Sequence, residues 1–372
     1  MRILLTGANG FIGKNLFSQL QFRKEFEITI FDRNKHTNNL NSLVKNTDWI
    51  IHLAGVNRSN NFHDFLSGNK FFAENLCKAI KESGKRIPII FSSSIQAEKN
   101  NPYGKSKLAA EKAFLRLQKE SKNPVFIYRL PNVFGKWALP NYNSVVATFC
   151  YNISRNLPIV VHDPQAQLKL VYIDDVIDSF ISLIKDAKRI RSYVKINTEY
   201  QLTVNELLEN IKDFKKSRDN LISKPVGSGL LRALYVTYIS YLKPENFTYE
   251  LKRNEDKRGI FVEMLKTTDS GQISYFTANP GETRGDHYHH SKTEKFLVIS
   301  GKAKFVFKHI LTGKSYKLIV SDKKSEVVET VPGWAHNITN IGKIKLICLL
   351  WSNEIFNKNK PDTFTYKIEP DS

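Results

Sequence analysis

Apolar runs and helical patterns alternate along roughly the first 215 residues of the chain. Apolar runs that suit buried strands begin at Met1 and recur at Phe26–Phe31, Trp49–Gly55 and Ile87–Phe91. Segments of helical periodicity lie between them, and the first begins near Lys14. Strands that alternate with helices are typical of a parallel sheet with crossover helices. The pattern therefore predicts an α/β domain with a doubly wound, Rossmann-type parallel sheet.

The pattern changes after Asn254, where short β-rich runs are punctuated by glycine. This pattern of short β-rich runs predicts an all-β, antiparallel barrel. Between the two regions, Lys215 to Leu251 is basic and interrupted by proline and glycine, which predicts a linker holding one helix near Gly229 to Leu242. The length of 372 residues also suits two cores better than one. We predict two domains, residues 1–245 and residues 246–372.

A glycine-rich turn follows the first predicted strand and precedes a helix. Such a turn directs backbone N–H groups and a helix N-terminus toward a pyrophosphate. The next strand ends at Asp32, which favours a free ribose 2′-hydroxyl, and Arg33, which favours a 2′-phosphate; with Lys35 nearby we predict NADPH. The residues predicted to contact the cofactor in the turn and at the third strand are Gly7, Asn9, Gly10, Phe11, Ile12, Gly13, Leu53, Ala54 and Gly55.

Tyr103 and Lys107 are four residues apart in a predicted helix, so they share one face. An ammonium beside a phenol lowers the phenol pKa and can also hold the nicotinamide ribose. A tyrosine placed in this way donates a proton to a carbonyl as hydride arrives, while a serine orients the same oxygen. A strand ending in Ser92, Ser93 and Ser94 lies just upstream. An isolated pair of this spacing is more often a solvated helix face, but the preceding glycine turn favours catalysis.

Three histidines and one glutamate form a candidate metal site in the second region. His287 and His289 are two residues apart, so on a strand both side chains point to one face. Glu294 and His336 complete the set from later strands. Imidazole and carboxylate ligands suit Zn²⁺, with Fe²⁺ or Mn²⁺ as less favoured choices, better than they suit Ca²⁺ or Mg²⁺. The alternative is a group of polar histidines capping a barrel.

Charge and composition narrow the function classes. The net charge of +20 comes from lysines spread along the chain, and no nucleic-acid-reading motif appears, so we expect an anionic small ligand rather than nucleic acid. The apolar segment from Leu230 to Leu242 is too short to span a bilayer. Three scattered cysteines, together with a first strand that begins at Met1, predict reduced thiols in a cytoplasmic protein: Cys77, Cys150 and Cys348.

The first region resembles the extended short-chain dehydrogenase/reductase family of nucleotide-sugar enzymes. The resemblance rests on the glycine turn, His52 to Gly55, Tyr103 with Lys107, Arg129 to Gly135, and Val171 to Val176. It implies that Ser94, Tyr103 and Lys107 are catalytic, that Pro131 borders the cofactor and that Asn132 contacts the sugar. The stretch between Ser94 and Tyr103 is shorter than in most members, which leaves open the choice among the three serines.

The second region resembles the cupin superfamily, through the spacing G-x5-H-x-H-x4-E-x6-G followed by P-G-x2-H-x3-N. It is also similar to the dTDP-4-dehydrorhamnose 3,5-epimerases, which implies that Arg258, Glu263 and Arg284 contact a nucleotide diphosphate-sugar. In those enzymes the residue equivalent to His287 is the base. A metal-ligating imidazole cannot also take a proton, so the base at C3 stays open among Tyr288, His290 and Tyr275.

Joined in one chain, the two regions resemble a family of two-domain enzymes of capsular polysaccharide synthesis. This resemblance implies C3 epimerisation of a UDP-2-acetamido-2,6-dideoxy-hexos-4-ulose in the cupin domain. NADPH-dependent C4 reduction then gives the L-talose derivative, on the way to N-acetyl-L-fucosamine. A homodimer is also expected. The alternatives are a reductase with a structural cupin, and a regulatory protein that senses a nucleotide sugar.

Overall fold

A computed structural model describes residues 1–32, 40–186 and 192–369, and the chain separates into two compact units. The first unit comprises Met1–Ile211 with Arg232–Leu242, and the second comprises Lys212–Leu231 with Lys243–Ser372. The stretch 212–231 thus groups with the later β-rich residues. The domain boundary after residue 245 stays a prediction.

Helices follow most strands in the first part of the chain. The α-helices are α1 (Phe11–Leu20), α2 (Leu40–Lys45), α3 (Phe62–Phe65), α4 (Phe72–Glu82), α5 (Pro102–Ser121), α6 (Val145–Ser154), α7 (Ile173–Lys185), α8 (Val204–Asn220) and α9 (Gly229–Ile239). A π-helical turn covers Leu66–Phe71, and 3₁₀ turns cover Ile95–Glu98 and Pro244–Asn246. In the part of the chain that the structure describes, none of these helices has the length and apolar character needed to cross a membrane.

The strands of the first unit are β1 (Arg2–Thr6), β2 (Glu27–Phe31), β3 (Trp49–His52), β4 (Ile89–Ser94), β5 (Val125–Leu130), β6 (Asn132–Phe134), β7 (Gln167–Tyr172), β8 (Tyr193–Val194) and β9 (Tyr200–Thr203). Six of them form a parallel sheet in the order β2-β1-β3-β4-β5-β8. The Rossmann-type sheet predicted from the alternating pattern is confirmed.

This strand order places the topological switch point between β1 and β3. The chain runs from β1 outward to β2 on one side and then resumes with β3 on the other. Ligands of open α/β sheets bind at such a switch point, beyond the carboxyl ends of the strands. All four residues of β3 are buried, as expected of a strand covered by helices on both faces.

The second unit is built from β10 (Ile222–Ser223), β11 (Arg253–Asp256), β12 (Gly259–Thr267), β13 (Gly271–Ala278), β14 (Thr283–Tyr288), β15 (Glu294–Ser300), β16 (Lys302–His309), β17 (Ser315–Ser321), β18 (Val327–Glu329), β19 (Trp334–Asn340), β20 (Leu346–Ser352) and β21 (Phe364–Thr365). They form a seven-stranded sheet around β13 and β20 and a five-stranded sheet in the order β17-β16-β19-β14-β21. Phe276 and Phe296 of the first sheet share a core with Phe305 and Ile338 of the second.

This double sheet confirms the all-β prediction only in part. Among the described residues, the ladders of the two sheets do not join into a closed barrel, so the cupin barrel stays a prediction. The predicted linker also contains more helix than expected, since α8 continues to Asn220 before α9 begins. The three cysteines are buried and free, and burial raises the thiol pKa of Cys77 and of Cys348 to about 12.

Candidate functional site

The predicted glycine turn lies at the switch point of the parallel sheet. Gly7 follows β1 with φ +76°, and Gly10 N donates to Gly7 O at 3.0 Å before α1 begins. A Cβ on Gly7 would lie 2.5 Å from Ala54 N, and one on Gly13 would lie 2.1 Å from Gly7 O. Only glycine allows this approach, which brings the N-terminus of α1 against the end of β3.

A pocket of about 270 Å³ opens beside this turn, lined by Gly7, Ala8, Asn9, Ile30, Phe31, Asp32, Ala54, Gly55, Val56, Gly68 and Phe72. Five predicted contacts therefore line one cavity: Gly7, Asn9, Asp32, Ala54 and Gly55. Phe11, Ile12 and Gly13 form the first turn of α1, and the Leu53 N–H donates to Thr6 O. This pocket and the N-terminus of α1 form a cradle that fits a dinucleotide. Arg33 and Lys35 lie outside the described residues.

Tyr103 and Lys107 lie in the first two turns of α5. Asn101 caps this helix by accepting from Gly104 N at 2.7 Å, and Pro102 begins it. Lys107 is buried, and its Nζ donates to the carbonyl of Ser92 at 2.6 Å. Burial lowers the pKa of Lys107 to about 8, against the opposing charge of Glu111. This pKa means that the ammonium begins to lose its proton only slightly above neutral pH.

The expected depression of the Tyr103 pKa is wrong. Burial raises this pKa, and the hydrogen bond from Ser94 only partly offsets it. The reason is that burial penalises the charged phenolate, whereas the Lys107 ammonium is held by a backbone carbonyl. A phenol that keeps its proton through neutral pH still suits proton donation.

The three serines at the end of β4 have different partners. Ser92 presents its carbonyl to Lys107, and Ser93 Oγ donates to Glu111 Oε1 at 2.5 Å. Ser94 Oγ accepts from Gln96 N at 3.2 Å and is the serine that interacts with Tyr103. This arrangement favours Ser94 over its neighbours, and its catalytic role stays a prediction.

Two further residues support this pair and were not recognised in the sequence. The fully buried carboxylate of Glu111 accepts from Arg129 Nη2 at 2.7 Å and from Tyr193 OH at 3.1 Å. Asn69, in the π-helical turn, accepts from Val56 N and so fixes the chain next to Gly55. A glutamate four residues after Lys107 was the available signal for Glu111. The sequence held no such signal for Asn69, because its partner Val56 lies 13 residues away.

The four predicted metal ligands come together in the second unit. One donor atom from each of His287, His289, Glu294 and His336 lies within 4.8 Å of the others. His287 of β14 and His336 of β19 are paired in register, and Glu294 begins β15. Glu294 Oε2 lies 3.4 Å from His289 Nε2 and 3.5 Å from His336 Nε2.

The chemistry of this set fits a transition metal. Burial lowers the pKa of His287 to about 3, so its imidazole is neutral as a metal ligand requires. Burial would raise the pKa of Glu294, but this pKa lies well below its usual range, with the Lys292 ammonium among the causes, and the carboxylate stays ionised. Nε2 of His289 and both ring nitrogens of His336 are buried without a hydrogen-bond partner among the described residues. Buried lone pairs of this kind need a ligand.

The predicted substrate contacts show one clear grouping. Arg258 and Arg284 both reach Asp256, at 2.6 Å and 3.6 Å, and the two guanidinium groups help lower the pKa of that carboxyl to about 2. Glu263 is paired with Lys266 at 2.9 Å. In the first unit, Asn132 is exposed and donates to Lys169 O, whereas Pro131 is buried. Two arginines that meet at one carboxylate suit an anionic ligand.

Comparison with known proteins gives full-length matches. The NAD dependent epimerase/dehydratase family matches residues 3–198, and the polysaccharide biosynthesis C-terminal domain matches residues 254–364. UDP-2-acetamido-2,6-beta-L-arabino-hexul-4-ose reductase of Pseudomonas aeruginosa is 49% identical over 368 residues, covering 99% of each chain.

Solved structures agree with these matches. The crystal structure of the capsular polysaccharide assembling protein CapF from Staphylococcus aureus has a TM-score of 0.92 at 40% identity, covering 99% of this chain and 100% of that one. A CapF structure with the inhibitor 3-isopropenyl-tropolone has a TM-score of 0.87 at 36% identity, with the same coverage. The predicted resemblance to two-domain enzymes of capsular polysaccharide synthesis is confirmed. The family match also implies a nicotinamide cofactor, in agreement with the cradle beside Gly7. The chain belongs to the NAD dependent epimerase/dehydratase family.

Proposed function

We propose that this protein reduces the C4 ketone of a UDP-2-acetamido-2,6-dideoxy-hexos-4-ulose with NADPH, after epimerising the same sugar at C3, in the cytoplasmic supply of capsular polysaccharide precursors. The reduction belongs to the first unit and the epimerisation to the second. The observation that carries the proposal is the group of half-buried Tyr103 and Ser94 with buried Lys107, in a unit that also holds a dinucleotide cradle. The full-length similarity to a UDP-hexulose reductase supports the choice of substrate.

In the reduction, Tyr103 has the role of proton donor. When bound, the reduced nicotinamide supplies a hydride to C4 and is oxidised. The Tyr103 hydroxyl gives its proton to the ketone oxygen, so that the product is a secondary alcohol. Ser94, next to Tyr103, hydrogen-bonds the same oxygen and orients it. The Lys107 ammonium, held at Ser92 O, has the role of binding the nicotinamide ribose.

In the epimerisation, the four-residue set holds Zn²⁺, and a bound Zn²⁺ would act as a Lewis acid toward a sugar oxygen. A C4 ketone makes the C3 hydrogen acidic, so a base can remove it and a proton can return to the opposite face. The ligating imidazoles are excluded as that base. Tyr288, His290 and Tyr275 stay the candidates, and the rings of Tyr288 and His290 lie 5.4 Å apart. Arg258 and Arg284 contact Asp256 in this structure. When the substrate binds, its diphosphate replaces that carboxylate as their partner.

One ketone serves both reactions, which gives a chemical reason for joining the two units in one chain. The ketone first acidifies C3 and then accepts hydride at C4. Reduction before epimerisation would remove the activation at C3. The alternative, a reductase with a structural second domain, lacks this coupling.

Deuterium exchange tests the proposal. The keto-sugar is incubated with the protein in deuterium oxide without reduced cofactor, and label at C3 is measured by NMR. We expect label at C3. Its absence, together with normal NADPH-dependent reduction, would favour the reductase-only alternative.

A Tyr103→Phe variant tests the reduction separately. It should lose C4 reduction, because the phenol proton is missing, and should keep C3 exchange. The matched control is Tyr128→Phe, which removes a buried phenol that contacts Ser179 Oγ at 3.0 Å. Near-normal reduction by Tyr103→Phe would contradict the assignment.

A further inference from the structure

A C-terminal segment, residues 362–368, lies along the strand that carries the first metal ligand; we call it the strap. Its strand β21 pairs with β14 so that Thr365 is opposite His287 and Phe364 is opposite Tyr288. Tyr366 N donates to Asp286 O at 2.8 Å, and Ile368 is buried in a small apolar cluster with Val306 and Ala335. The strap is therefore anchored at both ends of its contact with β14.

The main chain of Asp362 determines which nitrogen of His289 is free. Its carbonyl oxygen lies 2.5 Å from His289 Nδ1. A carbonyl only accepts hydrogen bonds, so Nδ1 carries the proton. The lone pair is then on Nε2, which lies 3.4 Å from Glu294 Oε2 inside the ligand set. This is the tautomer that a metal ligand needs, held by a partner on its outer side.

The side chain of Asp362 holds the turn that follows His289. Oδ1 accepts from His290 N at 2.9 Å, and Oδ2 accepts from the backbone N–H groups of Ser291 and Lys292, both at 2.7 Å. The Ser291 hydroxyl donates to the same oxygen at 2.8 Å. One carboxylate thus fixes three consecutive residues between two predicted ligands.

Lys292, which this turn carries, is a buried lysine directed at Glu294. Its Nζ lies 3.0 Å from Glu294 Oε1 and donates to Thr363 Oγ1 of the strap at 3.3 Å. Oε1 is therefore engaged, while Oε2 faces the Nε2 atoms of His289 and His336. Only one oxygen of this carboxylate is directed at the metal position.

We propose that the strap is the outer layer of the metal centre: Asp362 positions His289, and Lys292, held by the strap, restricts Glu294 to one coordinating oxygen. The inference rests on the metal site of the proposed function. Loss of such outer partners typically costs 10–100-fold in metal affinity. Asp362 and Lys292 are positioning residues, since neither is a ligand itself.

The affinity test uses Asp362→Asn in the full-length, metal-free protein, with Zn²⁺ titrated against a chromophoric chelator. The amide keeps the size of the side chain but places a donor against backbone N–H groups, so we expect affinity to fall about 10–100-fold. The control is Asp322→Asn, because Asp322 also accepts a backbone N–H, from Gly301 at 2.8 Å, away from the ligand set. The control should keep full affinity.

The geometry test uses Lys292→Met loaded with Co²⁺, read by visible absorption. With Oε1 released, Glu294 should bind through both oxygens, and the bands should weaken as the ion gains a fifth ligand. Lys295→Met, which breaks an exposed pair with Glu329, is the control and should leave the spectrum unchanged. This measurement also decides the matter if Asp362→Asn does not fold.

Two results separate the inference from the site on which it rests. If the unmodified protein binds no Zn²⁺, the metal site is wrong and the inference falls with it. If the unmodified protein binds Zn²⁺ while Asp362→Asn keeps its affinity within twofold and Lys292→Met keeps its Co²⁺ spectrum, the site stands and the inference is overturned.

Discussion

Burial sets the protonation of the candidate catalytic residues more than any single neighbouring charge does. It raises the pKa of Tyr103 and lowers that of Lys107 to about 8. Both groups act in their protonated forms, so activity should be present below pH 8. It should fall as pH rises through the Lys107 pKa, while Tyr103 still holds its proton.

Glu111→Gln should move this fall in kcat/KM to lower pH. Glu111 is the charge that raises the Lys107 pKa, whereas His52 of β3, also near Lys107, is buried and neutral with a pKa of about 3. Removing the carboxylate charge should lower the Lys107 pKa, and the fall in kcat/KM should move to lower pH with it. The control is Glu120→Gln in the same helix, an exposed residue paired with Lys81. A profile that does not move would contradict the role of Glu111.

Arg33→Ala should reduce the preference for NADPH over NADH. Asp32 lines the cofactor pocket and favours a ribose hydroxyl, so Arg33 is the residue expected to pair with the 2′-phosphate. The ratio of kcat/KM for the two cofactors should fall about tenfold, the loss of roughly one charge-assisted hydrogen bond. Arg23→Ala, on the preceding turn, is the control. Equal use of both cofactors by the unmodified protein would refute the prediction.

At the scale of elements, the turn from β1 to α1 depends on close backbone contacts. In Gly13→Ala the new methyl would lie 2.1 Å from Gly7 O and 2.7 Å from Ala8 Cα, and neither atom belongs to a flexible side chain. The free energy of unfolding should fall by about 1–3 kcal/mol, and NADPH binding, followed by fluorescence titration, should weaken. Gly227→Ala, with no atom within 4 Å of the added methyl, should change neither. Unaltered NADPH affinity in Gly13→Ala would show that the cofactor lies elsewhere.

Features encoded by short spacings were predictable from the sequence, whereas features made by long-range pairing were not. The glycine turn, the Tyr103–Lys107 pair and the two histidines of one strand each follow from local periodicity. The contact between Asp362 and His289 depends on β21 pairing with β14 more than 70 residues later, which no local pattern records. The wrong sign for the Tyr103 pKa has a similar origin, because burial is a property of the folded unit.

At the scale of the whole molecule, each unit has its own apolar core. One core surrounds β3, β4 and α4, and the other lies between the two β-sheets. The cofactor cradle belongs to the first unit and the four candidate ligands to the second. Loss of metal should therefore affect the second unit alone.

His336→Ala tests this separation. It removes one of four ligands, so Zn²⁺ by elemental analysis should fall from about one per chain toward zero, and C3 exchange should be lost. NADPH affinity should be unchanged, because none of the four candidate metal ligands lies in the first unit.

Calorimetry gives a second measurement of the same variant. Excess Zn²⁺ at about 100 times its dissociation constant should stabilise one transition of the unmodified protein by about 2.7 kcal/mol, and His336→Ala should lack this gain. His309→Ala is the matched control, because His309 accepts from Leu311 N in a turn outside the ligand set. This control variant should keep its full Zn²⁺ content. Full Zn²⁺ occupancy in His336→Ala would show that the metal binds elsewhere. Loss of Zn²⁺ with C3 exchange intact would show that the metal is structural.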